Sequence, residues 1–324
     1  MNLVEIADLV VSFPQSDGMV QAVRGASFHV SAGESLGIVG ESGSGKSVTC
    51  MAALRLLRQP PARITATRLA LDGIDMLTAD KRRLSDMRGR IAAMVFQDPM
   101  TAFDPVYTIG QQIIETIRAH RDLTRSAARA EAEALLAKVE IRNPGAVCDS
   151  YPHQLSGGML QRAMIAMALS CRPRILFADE PTTALDVTVQ AQILQLIKEL
   201  QAELGMALVM VTHDLGVIAE TVDRVVVMYG GRVMEEAPVQ AIFDTPRHPY
   251  TRALMASMPG QVAPDQSGGR RLTEIPGASP NPADPPGGCP FHPRCTVADA
   301  RCAVEMPPVV PTGPQASAAC WRLT

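Results

Sequence analysis

Residues 36–47 read Leu-Gly-Ile-Val-Gly-Glu-Ser-Gly-Ser-Gly-Lys-Ser. The apolar start predicts a short buried strand, and the remainder satisfies the pattern G-x-x-x-x-G-K-S/T in the strand, loop and helix context that it requires. In this pattern the glycines would let backbone N–H groups close around phosphate oxygens, Lys46 would supply a charge for the β- and γ-phosphates, and Ser47 would offer its hydroxyl to Mg²⁺. An ordinary glycine-rich turn is the alternative, and the intact pattern argues against it. The expected phosphate-binding residues are Gly40, Glu41, Ser42, Gly43, Ser44, Gly45, Lys46, Ser47 and Val48.

Further short apolar runs predict buried strands at Ala92–Phe96, Ile175–Ala178 and Leu208–Val211. Runs of this kind are covered on both faces, which is typical of a parallel sheet. Between Gly110 and Val139 the pattern becomes helical, with no strand signal. The sequence therefore predicts an α/β core with a helical insertion.

The bulk composition excludes several classes of protein. Of the 324 residues 47% are hydrophobic, and the formal net charge is −3, so the chain lacks the basic field that holds a nucleic-acid backbone. No apolar run approaches the roughly 18 to 20 residues of a membrane span, and the first ten residues lack the positive charge of a signal peptide. We expect a cytoplasmic protein that makes no nucleic-acid complex and reaches a membrane only through a separate spanning subunit.

Two adjacent acids, Asp179 and Glu180, follow the predicted strand that begins at Ile175. The carboxyl ends of strands in α/β sheets are where ligands bind. Asp179 is expected to hold Mg²⁺, directly or through water, and Glu180 to polarise the water that attacks the γ-phosphate. A helix cap or a solvated turn is the alternative for an isolated Asp-Glu pair, and the phosphate loop makes that alternative weaker.

Residues 155–159, Leu-Ser-Gly-Gly-Met, open a second helix with exposed N–H donors at its N-terminus. At this point the sequence resembles the ABC-transporter ATPases, whose hallmark is an LSGGQ-like segment shortly before the acid pair. In that family Ser156, Gly157 and Gly158 would clamp the γ-phosphate held by a partner subunit, so that two cassettes sandwich two nucleotides. Met159 stands where Gln is commonest, and the Ser-Gly-Gly donors are unaffected by it.

Four more positions match the family in order. Gln97 resembles the glutamine that senses Mg²⁺ and the attacking water and links the site to the membrane subunit. Asp186 resembles the acid that crosses the dimer interface, although a helix start capped by Asp is the alternative. His213 resembles the histidine that contacts the γ-phosphate and orients Glu180. Phe13 sits where family members stack an aromatic ring on adenine, and a core position is the equally weighted alternative.

The resemblance implies a P-loop ABC ATPase cassette, a RecA-like α/β core with a helical subdomain, over residues 1–258. The helical subdomain is expected at about 98–165. A Pro/Gly-rich extension with a small four-cysteine motif follows at 259–324. The implied activity is hydrolysis of ATP with Mg²⁺ as cofactor. Lys46, Gln97, Glu180 and His213 would be catalytic, and Mg²⁺ would be held by Ser47, Gln97 and Asp179.

Three segments, at 97–115, 245–260 and 288–295, resemble the ATPases of bacterial dipeptide, oligopeptide and nickel importers. They read QDPMTAFDPVYTIGQQIIE, TPRHPYTRALMASMPG and GCPFHPRC, and a simple surface loop is the alternative for HPYT. The resemblance implies an importer ATPase on the cytoplasmic face of the inner membrane, paired with a second cassette, identical or paralogous. Two permease subunits would lie above it, served indirectly by an extracytoplasmic binding protein. Peptides are the expected cargo, and nickel or metal chelates and glutathione are alternatives. As alternatives to the transport function itself, a non-transport ABC ATPase and a degenerate, purely structural cassette are less well supported.

Seven cysteines without an export signal make a disulfide framework a poor interpretation. Cys50, Cys148 and Cys171 are expected to be small buried hydrophobic residues. The other four lack the C-x2-C spacing of a zinc ribbon, whereas an iron–sulfur cluster tolerates looser spacing. ATPases of the resembled branch can carry a four-iron, four-sulfur cluster in this tail. The alternatives are zinc, with His292 as a further candidate ligand, and unliganded thiols. The proposed ligands are Cys289, Cys295, Cys302 and Cys320.

Overall fold

The computed structural model describes residues 1–16, 18–183, 185–258 and 275–324. Residues 259–274, the start of the predicted extension after the boundary at 258, lie outside the described residues. No helix within the described ranges combines the length and apolar composition that a membrane span requires.

The elements alternate between strand and helix over most of the chain, as the sequence predicts. The strands are β1 (Asn2–Gln15), β2 (Gly18–Ser31), β3 (Ser35–Val39), β4 (Arg63–Thr65), β5 (Arg68–Leu71), β6 (Ile74–Asp75), β7 (Ala92–Val95), β8 (Ile175–Asp179), β9 (Ala207–Val211), β10 (Arg224–Tyr229), β11 (Arg232–Pro238), β12 (Val309–Gly313) and β13 (Ala316–Ala319). The helices are α1 (Lys46–Ala53), α2 (Lys81–Arg90), α3 (Pro99–Ala102), α4 (Ile109–His120), α5 (Arg125–Lys138), α6 (Pro144–Cys148), α7 (Gly157–Leu169), α8 (Val187–Leu204), α9 (Leu215–Thr221), α10 (Val239–Asp244), α11 (Pro249–Ala256) and α12 (Ala300–Val304).

The chain forms two compact units, and the first contains residues 1–4, 30–34 and 70–211. Its centre is a parallel arrangement of β7, β8 and β9, in which Ala92 pairs with Ile175 and Ile175 with Ala207. Every residue of these strands is buried, which explains why they read as continuous apolar runs. The predicted strands are confirmed.

The helical insertion is present in the first unit as two helices, α4 and α5. Thr108 caps α4 in a reciprocal capping box with Gln111, and Thr124 caps α5 by accepting a hydrogen bond from the Ala127 N–H. The apolar face of α4 is buried through Ile113, Ile114 and Ile117. The sequence predicts the helical character correctly but not the break between the helices.

The second unit contains residues 5–29, 35–69 and 212–324. In it β3 runs parallel to β10, and β10 pairs antiparallel with β11. β13 then pairs antiparallel with β11, and β12 with β13. The C-terminal extension therefore contributes two strands to the same sheet that carries the phosphate loop at the end of β3.

Candidate functional site

The phosphate loop joins β3 to α1 and depends on glycines at two close approaches. Gly40 has φ +153°, and a Cβ there would lie 2.1 Å from the Met228 carbonyl oxygen. Gly45 has φ +98°, and a Cβ there would lie 2.4 Å from the Ala22 carbonyl oxygen. Any side chain at either position would push the loop away from the strands that hold it. Both glycines of the motif are thus required by the packing.

Lys46 lies inside this loop, with only 5% of the residue exposed. Its ammonium group donates to the Gly40 carbonyl at 2.8 Å and to the Glu41 carbonyl at 3.0 Å. The Ser47 side chain is half-buried at the first turn of α1. Because these contacts hold the Lys46 charge at the centre of the loop, it is placed to attract an anion bound by the surrounding N–H groups.

The acid pair ends β8 in the first unit. Asp179 is buried, with 6% exposed, while Glu180 is half-buried and has φ +46°. The Gln97 side-chain amide and the Thr183 hydroxyl each donate to Glu180 Oε2 at 2.9 Å. Gln97 follows β7, the neighbour of β8, so the parallel pairing brings two predicted site residues together. Thr183 was missed, although a hydroxyl three residues after the acid is a signal in the sequence.

The LSGG segment forms the N-terminus of α7, as predicted. The Ser156 hydroxyl caps the helix by accepting from the Met159 N–H at 3.4 Å, and Ser156 and Gly157 are exposed. The buried Gln161 side chain donates to the Pro181 carbonyl at 2.6 Å, which ties this helix to the segment after Glu180. The N-terminal donors of α7 therefore face solvent on a helix whose orientation is fixed.

The remaining predicted site residues occupy element ends. Asp186 caps α8 by accepting from the Val189 N–H at 3.0 Å, so the helix-cap alternative is correct for its local role. His213 is exposed after β9, and Phe13 is half-buried in β1. Their contacts with a nucleotide stay predictions.

The HPY segment at the start of α11 is a buried element of the second unit. His248 is 1% exposed and Tyr250 fully buried, so the surface-loop interpretation is wrong. The Glu235 carboxylate accepts from the backbone N–H groups of Arg247 and His248 at 2.7 and 2.8 Å. Burial lowers the pKa of His248 to about 4, and its Nδ1 accepts from the Tyr250 N–H at 3.0 Å. The ring is thus neutral and structural.

All seven cysteines are free thiols. Cys50 and Cys148 are buried, as predicted, whereas Cys171 is half-buried. The four C-terminal cysteines line one small cavity together with the rings of His248, Phe291 and His292. Burial, together with the three neighbouring thiols, raises the pKa of Cys289 to about 11. In the part of the chain that the structure describes, no group of three or more His, Cys, Asp or Glu side chains is arranged to hold a metal ion.

Comparison with known proteins agrees with this geometry. Residues 23–183 match the family model described as ABC transporter, and residues 234–302 match the model described as oligopeptide/dipeptide transporter, C-terminal region. The solved dimeric ATP-binding cassette in a post-hydrolysis state with ADP and Pi is 28% identical with a TM-score of 0.64, covering 73% of this chain and 98% of its own. A cassette of a transporter complex from Clostridium perfringens is 26% identical with a TM-score of 0.61, covering 75% of this chain and 91% of its own.

Other relatives have higher sequence identity to this chain, over a larger share of it. A probable peptide ABC transporter ATP-binding protein of Sinorhizobium fredii is 48% identical over 99% of this chain and 95% of its own. The dipeptide transport ATP-binding protein of Escherichia coli is 47% identical over 95% and 92%, and the oligopeptide transport ATP-binding protein of Bacillus subtilis is 46% identical over 92% and 82%. Together with the phosphate loop, the acid pair and the LSGG helix, these matches place the chain in the ABC transporter family, as an ATPase with the C-terminal region of the oligopeptide and dipeptide transporters.

Proposed function

We propose that this chain is the ATP-hydrolysing subunit of an ABC importer that carries peptides. The observation that carries this proposal is the match of residues 234–302 to the oligopeptide/dipeptide transporter C-terminal region, on a chain whose relatives at 46–48% identity are named for peptide transport. The partners would be a second cassette, identical or paralogous, and two permease subunits, with an extracytoplasmic solute-binding protein acting indirectly. The chain would then work as a peripheral protein on the cytoplasmic face of the inner membrane.

The domain division proposed for this function is a cassette at 1–258, with its helical subdomain at about 98–165, followed by the extension at 259–324. The extension would distinguish this branch from shorter cassettes. This division is supported by the coverage of the comparisons. The solved cassettes cover 73% and 75% of this chain, whereas the peptide-transport relatives cover 92% or more.

Each residue of the hydrolytic site has a proposed task. Lys46 and the N–H groups of residues 40–48 would bind the phosphates, and Glu180 would accept a proton from the attacking water. The two hydrogen bonds from Gln97 and Thr183 support this role, because they fix the direction of the carboxylate before the reaction. His213 would contact the γ-phosphate and orient Glu180.

The donors proposed for Mg²⁺ have the appropriate chemistry. The buried Asp179 carboxylate, the Ser47 hydroxyl and the Gln97 side-chain oxygen are hard oxygen ligands of the kind that Mg²⁺ prefers. When bound, the ion would neutralise charge on the β- and γ-phosphates.

Contacts across a cassette dimer are proposed for four residues, of which Ser156, Gly157 and Asp186 are exposed and Gly158 is half-buried. Ser156, Gly157 and Gly158 would present the α7 N-terminus to the γ-phosphate of the partner's nucleotide, and Asp186 would cross the interface. Phe13 would stack on the adenine of the chain's own nucleotide.

A permease docking surface is proposed on the segment after Gln97. Val106 and Tyr107 are 69% and 47% exposed, unusual for large apolar side chains. The Gln112 side chain holds their loop by donating to the Asp104 and Tyr107 carbonyls at 3.0 and 3.1 Å. A rigid loop that presents apolar groups suits the short coupling helix of a permease.

Uptake assays test the cargo. In cells of the source organism that carry Glu180→Gln at the chromosomal locus, uptake of labelled di- and oligopeptides is expected to fall to background. Uptake of a nickel chelate and of glutathione is expected to stay normal, and a wild-type copy should restore peptide uptake. If only nickel-chelate or only glutathione uptake were lost, that solute would replace peptides as the assigned cargo. Unchanged uptake of every solute would overturn the importer assignment.

The four C-terminal cysteines are proposed as ligands of a four-iron, four-sulfur cluster, with zinc as the alternative metal. Four soft sulfur donors on one cavity are the chemical set that such a cluster requires. Burial and mutual repulsion raise the pKa of Cys289, so a cation would have to stabilise the thiolates. The side chains are not arranged as a ligand group, so binding would require them to turn toward a common centre.

Metal analysis of the anaerobically purified chain tests this proposal. We expect about four irons per chain and a broad visible absorbance, both lost in Cys295→Ser. Cys171→Ser, which changes a half-buried thiol that does not line the cavity, is the matched control and should keep both signals. Stoichiometric zinc, or no metal in the wild type, would exclude the cluster.

A further inference from the structure

Glu41, the second residue of the phosphate loop, is held from outside the loop by Arg294 of the C-terminal extension. The guanidinium makes two parallel hydrogen bonds to the carboxylate, Nη1 to Oε2 at 2.7 Å and Nη2 to Oε1 at 3.1 Å. The Ser279 hydroxyl also donates to Oε2. Paired charge-assisted bonds of this kind are stronger than neutral ones and fix both partners in one orientation.

Arg294 is itself fully engaged. Its Nη1 also donates to the Tyr229 hydroxyl at 3.0 Å, and its Nη2 to the Ile275 carbonyl at 3.0 Å. Its Nε donates to the Pro276 carbonyl at 2.9 Å, so all five N–H donors of the guanidinium are used. The side chain is only 7% exposed. Arg294 is therefore part of a rigid connection, in contrast to a mobile surface arginine.

The same connection reaches the loop backbone. The Glu41 N–H donates to the Tyr250 hydroxyl at 3.0 Å. The rings of Tyr250, Tyr229 and Phe291 pack against one another with centroids 4.5 to 5.3 Å apart. The HPY segment and the residues before Cys295 thus support one end of the phosphate loop from the same side.

The charge of Glu41 matters because its loop binds polyphosphate. Burial would raise the pKa of Glu41, but the bonds from Arg294 and Ser279 outweigh it and hold the pKa below its usual range. The carboxylate is therefore ionised, and Lys46 is also one of its electrostatic partners. Without Arg294 this negative charge would lack its main counter-charge and would compete with the phosphates for Lys46.

We infer that Arg294 is a positioning residue for ATP hydrolysis, which neutralises and orients Glu41 so that the phosphate loop accepts ATP. This inference rests on the proposed nucleotide site at residues 40–48. It gives the C-terminal extension a direct part in nucleotide binding.

The test compares single and double variants of the full chain, with affinity for ATP and Mg²⁺ measured by calorimetry and steady-state hydrolysis measured beside it. Arg294→Gln is expected to raise the Kd and KM for ATP about tenfold or more, with kcat changed by less than about threefold. The reason is that the variant binds the ground state and the transition state less tightly by the same factor. Glu41→Gln combined with Arg294→Gln is expected to bind ATP at least about threefold more tightly than Arg294→Gln alone, because the unpaired charge is gone.

Arg301→Gln is the matched control. Arg301 lies in the same extension but pairs with Glu305 on the surface and stacks on Trp321, so its loss should leave the Kd for ATP unchanged. Arg294→Lys keeps the charge with fewer donors and should bind ATP more tightly than Arg294→Gln. Thermal unfolding of each variant shows whether it is folded.

Three results would overturn the inference. They are an unchanged Kd in Arg294→Gln, equal weakening in Arg294→Lys and Arg294→Gln, or a double variant that binds no better than Arg294→Gln. A wild-type chain that does not bind ATP would instead overturn the proposed nucleotide site itself, so the two failures are distinguishable.

Discussion

Replacing Glu180 by glutamine is expected to lower kcat for ATP hydrolysis by about three orders of magnitude, within the 10²–10⁴-fold range of a general base. The amide has the shape of the carboxylate and can still accept from Gln97 and Thr183, but it cannot accept a proton from water. ATP affinity should therefore remain close to that of the wild type. Phosphate release and calorimetric binding measure the two quantities separately.

Glu199→Gln is the matched control for this substitution. Glu199 lies on the exposed face of α8 and accepts a hydrogen bond from Gln195, so the same chemical change there should leave kcat unaltered. If Glu180→Gln keeps more than about a tenth of the wild-type kcat, Glu180 is not the base, since even a weak general base contributes more.

Gly40→Ala is expected to weaken ATP binding by at least about a hundredfold, since backbone strain and a core clash each cost on the order of 1–3 kcal/mol. The new Cβ would lie 2.1 Å from the Met228 carbonyl oxygen and 2.9 Å from the Ser44 hydroxyl. The loop must move off β10 to relieve these contacts, and its N–H groups would then no longer converge on the phosphates. Calorimetry and thermal unfolding measure the loss of binding and of stability.

Gly43→Ala separates strain from steric clash. Gly43 also has a positive φ, of +77°, but a Cβ there would meet nothing within 4 Å. The expected loss of ATP affinity is below about tenfold, which corresponds to about 1 kcal/mol of strain. Equal weakening in the two variants would show that the contact with Met228 is unimportant.

The parts of the fold and site that could be predicted from the sequence are local ones. The phosphate loop and the LSGG helix start are each encoded by a few consecutive residues, and the buried strands are recognisable as apolar runs. The assignment of Gln97 and Glu180 to one site required a resemblance as well. Their direct contact was not predicted, because it depends on the pairing of β7 with β8.

The parts that could not be predicted depend on contacts between distant residues. Arg294 and Glu41 are 253 positions apart, and neither periodicity nor a short motif signals such a pair. The HPY segment looks like a surface loop because it is rich in polar and turn-forming residues. Its burial depends on Glu235, which lies on β11 and accepts hydrogen bonds from the backbone N–H groups of Arg247 and His248.

The pairing of β13 with β11 also covers what would otherwise be an edge of the sheet that carries the phosphate loop. Without residues 316–319, β11 would be an edge strand whose unpaired N–H and C=O groups near Glu235 and Glu236 are open to strands of other molecules. A fragment cut at residue 258 would keep the phosphate loop and the acid pair, yet it would expose the unpaired edge of β11, on which strands of other molecules could aggregate. The extension therefore protects the sheet against unwanted association while it completes the fold.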